Sequence, residues 1–344
     1  MPKKLRIGII CPSEIAFRRF LPSLRQVEEA EYAGVAVAAP EEWGGEGMGE
    51  AQIHAAIARD REKAEAFRRE AGGRIFDSYS ALIHDGEVDA VYLPLPPALH
   101  FKWAQAALEA GKHALVEKPF TTSLPDTEKL LALAGRKGLG VHENYMFLFH
   151  GQIATIDRLI EAGEIGKVRL YRISFGFPKR AAGDFRYNKA LGGGALLDCG
   201  GYTIRYAAHL LGKGARLLAA SSLYEEGQEV DMSGSATLVN DAGLAAQVAF
   251  GMDNAYKCEL EAWGSTGCLR TSRVLTAPDG FVPQAVICRG AEEKTLQLPA
   301  DAAFVKSIRH FCACVRDDAT RRMRYDEILA QGRLIDAFQK IAAA

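Results

Sequence analysis

The chain has 344 residues, enough for about two domains of ordinary size, with 42 Lys and Arg against 43 Asp and Glu and a formal charge of −1. That balance excludes a global attraction to nucleic acid or to an anionic membrane surface, and 48% apolar with 25% charged residues excludes a disordered chain. No apolar run reaches the ~18 residues of a membrane span, and the opening Met-Pro-Lys-Lys-Leu-Arg lacks the apolar region of a signal peptide. Seven cysteines at 11, 199, 258, 268, 288, 312 and 314 form no C-x-x-C pair. Neither a disulfide framework nor a metal site is therefore expected, and a reducing cytoplasm is the simplest setting.

The first 120 residues alternate short apolar runs with amphipathic stretches. Leu5–Ile10 reads as a strand, Phe17–Leu24 as a helix, Tyr32–Ala39 as a second strand and Ile75–Phe76 as a weaker one. Val88–Leu93 is a strong strand. Leu99–Ala110 then carries Leu, Trp, Ala and Leu at helical spacing and stops at Gly111, before a further strand at Ala114–Val116. Repetition of this kind predicts an α/β, doubly wound parallel sheet of the dinucleotide-binding (Rossmann) type over residues 1–121. Pro40–Ile57, with four glycines and Trp43, interrupts it ahead of a helix at Asp60–Glu70. This insertion is either a surface loop or a lid or assembly contact.

Beyond Phe120 the pattern changes. Helical stretches at Asp126–Lys137 and Ile153–Ala162 lead to a strand at Val168–Phe177. Further strands are predicted at Leu217–Tyr224, Ser235–Val239, Leu244–Phe250, Lys257–Trp263 and Ala285–Arg289, and amphipathic stretches Phe304–Val315 and Tyr325–Ile341 close the chain. Strands in a near-continuous run predict a large, mainly antiparallel sheet, so residues 122–344 read as an α+β domain, with a cleft against the first domain.

Four segments carry residues suited to chemistry. After the first strand, Gly8-Ile9-Ile10-Cys11-Pro12-Ser13-Glu14-Ile15-Ala16 occupies the place of a glycine-rich phosphate turn. The G-x-G-x-x-G positions fall on Cys11, Ser13 and Ala16, so the segment reads equally as an ordinary strand–helix turn. At the end of the Val88 strand, Leu93-Pro94-Leu95-Pro96-Pro97-Ala98-Leu99-His100 forms a proline-stiffened turn where ligands sit in such sheets. His100 read alone is as well a helix-start histidine. Glu117-Lys118-Pro119 ends the next strand, where the lysine is a candidate for polarising a carbonyl or relaying a proton. Finally Leu191-Gly192-Gly193-Gly194 precedes Asp198 and Tyr202, four apart and so on one face of a helix. There the phenol either donates a proton to a developing alkoxide or is merely buried.

Together these segments resemble the Gfo/Idh/MocA family of nicotinamide-dependent oxidoreductases, typified by glucose-fructose oxidoreductase and inositol dehydrogenase, over nearly the whole chain. The likeness is closer to the sugar-nucleotide 3-ketoreductases of deoxysugar pathways. It rests on His142-Glu143-Asn144-Tyr145-Met146-Phe147-Leu148-Phe149-His150, on Asp184-Phe185-Arg186-Tyr187 and on Glu259–Gly267 (ELEAWGSTG). The resemblance implies hydride transfer between NADP or NAD, with NADP slightly favoured, and a hexose ring carbon, in the direction that reduces a keto sugar nucleotide. It maps catalytic roles onto Lys118, Tyr202 and Asp198. Cofactor contacts fall on Gly8, Cys11, Pro12, Ser13, Glu14, Ile15, Arg59, Leu93, Pro94, Leu95, His100, Glu117 and Lys118, and substrate contacts on Asn144, Tyr145, Arg186 and Tyr187. Arg172, Lys179, Arg180, Arg186 and Arg205 are candidates for a diphosphate. A homodimer or homotetramer is implied, with no nucleic-acid or membrane partner. Two departures stand out: the first glycine of the turn is Cys11, and Ala38-Ala39-Pro40 offers no acidic residue to a ribose hydroxyl, with the Arg-Asp pair displaced to Arg59 and Asp60. The alternatives are a dehydrogenase of a free sugar, cyclitol or diol, and a non-catalytic nucleotide- or sugar-binding regulatory protein.

Overall fold

The short apolar runs of the N-terminal part fold as strands, and the amphipathic stretches between them return as helices. The computed structural model describes residues 3–43 and 49–343. The chain divides into two units, one holding the described residues up to Asn144 with Ala190–Gly192 and Phe304–Ala330, the other holding Tyr145–Lys189, Gly193–Ala303 and the chain from Gln331.

The first unit runs β1 (Leu5–Ile10), α1 (Leu21–Leu24), β2 (Ala30–Ala36), α2 (Glu50–Ala71), β3 (Arg74–Phe76), α3 (Tyr79–Ile83), β4 (Ala90–Leu93), α4 (His100–Glu109), β5 (His113–Val116), α5 (Leu124–Lys137) and β6 (Val141–Glu143). Its strands are parallel, in the order β3-β2-β1-β4-β5-β6. Strand order reverses between β1 and β4, and a sheet of this kind opens its ligand crevice at the carboxyl ends there. Ile10, Val91, Leu93, Trp103, Ala114 and Val116 belong to its core.

Two features differ from the sequence reading. The first unit continues to Asn144 rather than ending at 121, because α5 and β6 add one more repeat to the parallel sheet. A three-residue strand is too short to show a period. The helix expected from Asp60 begins at Glu50, so residues 50–57 of the expected insertion are its opening turns. Pro40–Glu42 forms a 3-10 turn, and residues 44–48 lie outside the described residues. Glu42 is buried and accepts from the backbone N–H groups of Ala39 (3.1 Å), Tyr79 (2.7 Å) and Ser80 (2.9 Å) and from the Ser80 hydroxyl (2.6 Å). Burial alone would raise its pKa, but these donors prevail and hold it below the ordinary carboxylate value.

The second unit holds α6 (Gly151–Glu161), β7 (Val168–Gly176), α7 (Gly201–Leu211), β8 (Arg216–Tyr224), β9 (Asp231–Val239), β10 (Ala245–Gly251), β11 (Lys257–Gly264), β12 (Cys268–Ser272), β13 (Gln284–Arg289) and β14 (Glu292–Gln297). These eight strands form one sheet in the order β14-β13-β12-β11-β7-β10-β9-β8. β7 and β10 pair parallel and the other neighbours antiparallel. Alternation divides the sheet cleanly: Tyr171, Ile173, Phe175, Val248, Phe250 and Leu260 join the core with α7, whereas Arg172, Gln247, Glu261 and Trp263 lie on the other face. Two helices close the chain, α8 (Ala303–Arg316) and α9 (Asp318–Ala342). No described helix is long and apolar enough to cross a membrane.

Candidate active site

At the end of β1, Cys11 takes φ +79°, the left-handed conformation a glycine adopts freely. The turn therefore follows the path that the missing glycine would allow. Ser13 donates its N–H to Cys11 O (2.9 Å), and its hydroxyl accepts from Ala16 N–H (3.3 Å). A helix opens at Glu14 and includes a π-helical turn at Ala16–Phe20. Pro12 is buried, while Glu14 and Ile15 are exposed at the helix start, where free N–H groups favour an anion. The residues present thus fit a dinucleotide's phosphates. Burial, with Asp60 beside it, pushes the Cys11 thiol up to about 12, so it is no nucleophile. Gly8 stands apart from this turn, inside β1, where a Cβ would press on the Leu82 side chain. Arg59 is exposed within α2, and its neighbour Asp60 is buried and paired with Lys63 at 2.8 Å.

Leu93, Pro94 and Leu95 are buried at the end of β4. His100, expected as a cofactor contact, is fully buried, with Nδ1 2.7 Å from Pro119 O and Nε2 2.8 Å from Leu95 O. Burial pushes its pKa down to about 4, although both carbonyls resist the shift. Its ring joins the loops that follow β4 and β5, so it braces the ligand edge.

The loop after β5 carries Glu117 and Lys118, and the Lys118–Pro119 peptide is cis. Glu117 Oε1 accepts from Tyr92 OH and from Asn144 Nδ2, both at 2.6 Å. Asn144 Oδ1 in turn accepts from Ser307 Oγ (2.8 Å) on α8, which contacts His142 Nε2 (2.9 Å). Burial raises the Glu117 pKa, and the pull of Tyr92, Asn144 and the Lys118 charge offsets this only in part. Asn144, expected to line a sugar pocket, is 2% exposed and has both ends of its amide engaged here.

In the second unit the glycine run is explained by close approach. A Cβ on Gly193 would overlap the Arg186 backbone carbonyl, and one on Gly194, whose φ is +120°, would overlap the Asp231 carboxylate. That carboxylate accepts from Leu196 N–H at 2.7 Å, at a π-helical turn, Leu196–Gly200, that runs on into α7. Asp198 and Tyr202 follow one turn apart. Arg186 donates from Nε to Asp198 (2.6 Å) and from Nη1 to Asp184 (3.1 Å). Burial opposes the Arg186 charge, but the two carboxylates outweigh it and raise its pKa. Tyr202 is half-buried within an aromatic wall, its ring centroid 5.2 Å from Tyr145, 5.5 Å from Phe175 and 5.7 Å from Phe147. Tyr145 itself is 1% exposed and supports Tyr202 from behind. Tyr187 OH accepts from Arg180 N–H at 2.7 Å.

Of the cations proposed for a diphosphate, Arg172 is excluded from Tyr202's side of the sheet. It lies on the opposite face, bonded to Glu261 (2.9 Å) and Gln247 (3.3 Å). Lys179 lies near Glu225 and Asp253, Arg180 over the Phe177 ring, and Arg205 is buried. Tyr92 and Ser307 escaped the sequence reading. A tyrosine inside an otherwise apolar strand was a usable signal. Nothing local marks Ser307, which reaches Asn144 across 163 positions of sequence.

Residues 16–145 match the model of an "Oxidoreductase family, NAD-binding Rossmann fold", and residues 153–270 match the "GFO/IDH/MocA C-terminal domain". The chain belongs to the GFO/IDH/MocA family. It is an NAD(P)-dependent oxidoreductase acting on CH–OH and keto groups. One relative is a dTDP-3,4-didehydro-2,6-dideoxy-alpha-D-glucose 3-reductase of Actinomadura kijaniata, 38% identical over 97% of this chain and 94% of that one. KijD10, a 3-ketoreductase from the same organism crystallised with NADP and TDP-benzene, superposes with a TM-score of 0.89 at 37% identity over 98% of both chains. An aldose-aldose oxidoreductase from Caulobacter crescentus shares the fold, with a TM-score of 0.84 at 21% identity over 99% of this chain and 98% of that one.

Proposed function

We propose that the protein reduces the 3-keto group of a deoxyhexose carried on a nucleoside diphosphate, with NADPH as reductant. The likeness to KijD10 along the whole chain supports this reading most directly, together with a phosphate turn whose backbone is kept by Cys11. When bound, the reduced nicotinamide supplies the hydride. The Ser13–Ile15 turn would hold the pyrophosphate, and Pro94, Leu95 and Glu117 would contact the rest of the coenzyme.

Lys118 stabilises the oxyanion as charge develops on the carbonyl oxygen, and a cation so placed is worth a few kcal/mol. Tyr202 delivers the proton. Its aromatic wall of Tyr145, Phe147 and Phe175 keeps water from the ring, so the proton comes from a fixed donor. Asp198 anchors Arg186, leaving that guanidinium's remaining N–H groups for the sugar or its diphosphate. The outer face of the eight-stranded sheet carries Trp263, 52% exposed, with Leu223 and Tyr224 exposed on β8. This supports a homodimer or homotetramer assembled through the sheet, to be read by sedimentation. Seven free cysteines suit a cytoplasmic enzyme.

The test is single-turnover reduction of the dTDP-linked 3-keto sugar, followed by loss of the reduced nicotinamide's absorbance. Lys118→Ala and Tyr202→Phe are each expected to slow it by about 100-fold or more while coenzyme titration stays unchanged. Wild-type rates in both variants would remove the assignment.

A further inference from the structure

The hydrogen bonds behind Glu117 have one consistent direction. Asn144 must present Nδ2 to the Glu117 carboxylate, which leaves Oδ1 facing Ser307. Ser307 Oγ–H therefore donates to Asn144, and the same oxygen lies 2.9 Å from His142 Nε2, which Arg324 Nη2 also faces at 3.5 Å. Ser307 is fully buried and stands on α8, far in sequence from every residue it serves. An amide has two orientations of similar shape, and only one of them puts a donor on Glu117.

We propose that Ser307 is a positioning residue of the reduction: by donating to Asn144 Oδ1 it locks the amide with Nδ2 on Glu117, and so fixes the charge state of the carboxylate beside Lys118. The inference rests on the proposed function for its catalytic meaning, but not for its physical content. Around Glu117 the groups that matter are Tyr92 OH from β4, Asn144 Nδ2 and the Lys118 charge. Around the far end stand His142, with the His310 ring centroid 5.6 Å away, and Arg324, which donates to Glu143 O and pairs with Glu327 at 2.6 Å. Burial already pushes Glu117 towards protonation, so each donor it keeps is needed to hold the anion. A protonated Glu117 would withdraw a counter-charge from the lysine that faces the oxyanion.

The experiment is an infrared pH titration of the C=O stretch of protonated carboxyl groups in full-length protein. Glu117→Gln assigns the band and Asn144→Ala gives the shift when the amide donor is absent. Ser307→Ala is expected to move the Glu117 midpoint up by about one pH unit, a tenfold easier protonation, approaching Asn144→Ala. Ser307→Thr, which keeps the hydroxyl, is expected to restore it. In turnover, Ser307→Ala should lose activity first on the acidic side, with coenzyme affinity retained. A Glu117 midpoint unchanged in Ser307→Ala, or shifted equally in Ser307→Thr, overturns the proposal. A wild-type protein inert towards the keto sugar nucleotide would overturn the functional reading instead, and the infrared titration would still decide the role of Ser307.

Discussion

Among the described residues two helices contain π-helical turns near their starts, one in each unit, and they are built by opposite means. The helix that opens at Glu14 is prepared locally: Cys11 holds φ +79°, and Ser13, two residues on, caps it through its own hydroxyl. The helix carrying Asp198 and Tyr202 is prepared from a distance. Its opening N–H at Leu196 is bonded by Asp231, 35 residues along the chain, and Gly193, Gly194 and Gly201 are small because Arg186, Asp231 and Tyr145 press against them. π-Helical turns recur at functional sites because they re-aim a side chain within a helix. Here one lies just past the phosphate turn and the other beside the proposed proton donor. A side chain added to the first helix's turn is tolerated, as Cys11 already shows, whereas one added to the second has no room.

Among changes to these two helices and their turns, the largest effect outside the proposed proton donor itself should therefore come from Gly201→Ala. The new methyl group would overlap the Tyr145 hydroxyl, and Tyr145 packs edge-on against Tyr202. Overpacking of this kind costs about 1–3 kcal/mol, and displacement of the proton donor should lower turnover by about 100-fold. Urea denaturation and single-turnover kinetics read the two effects. Adding Tyr145→Phe, which removes the overlapping oxygen, should recover most of both. If the double variant is no better than the single one, the constraint on Gly201 lies elsewhere.

The same contrast explains what could be read in the sequence. The parallel sheet was legible because its runs are short, apolar and separated by helical spacing, and the strand ends marked Lys118 without help from distant residues. The helix over Phe17–Leu24 was legible, but its π-turn was not, since residue types do not distinguish i+5 from i+4 bonding. In the second unit the spacing of Asp198 and Tyr202 was readable. The partner of Asp198 was not, because Arg186 comes back to it from a separate turn. Asn144 and His100 were read by position as ligand contacts, yet both are buried and bonded to the protein itself, Asn144 to Glu117 and the remote Ser307, and His100 to the loop carbonyls of Leu95 and Pro119. The three-residue β6 fell below any usable period, and β14 is polar along most of its length.

Capping sharpens the comparison. Asp231→Ala would leave the Leu196 N–H buried without its acceptor and open a hole beside Gly194, so a loss of about 2–3 kcal/mol is expected. Ser13→Ala removes a longer bond at a half-exposed site and should cost about 0.5–1 kcal/mol. Chemical denaturation of the two variants side by side measures the gap. Equal losses would mean that the remote cap is no more consequential than the local one.

The smallest effect is expected at Cys11. A non-glycine residue in the left-handed region costs about 1–2 kcal/mol, and Cys11→Gly would relieve it. The same change removes a thiol packed against Asp60 and Tyr79, so the two contributions oppose each other and the net stability should move by less than about 1 kcal/mol. Coenzyme affinity should stay within about twofold, since the backbone already follows the glycine path and the thiol, held protonated by its surroundings, makes no bond the phosphates need. Fluorescence titration with NADPH measures it. A large gain in affinity would show that the thiol crowds the pyrophosphate turn, and a large loss would make Cys11 a true ligand of the coenzyme. Either result would end the view that this turn is set by backbone conformation alone.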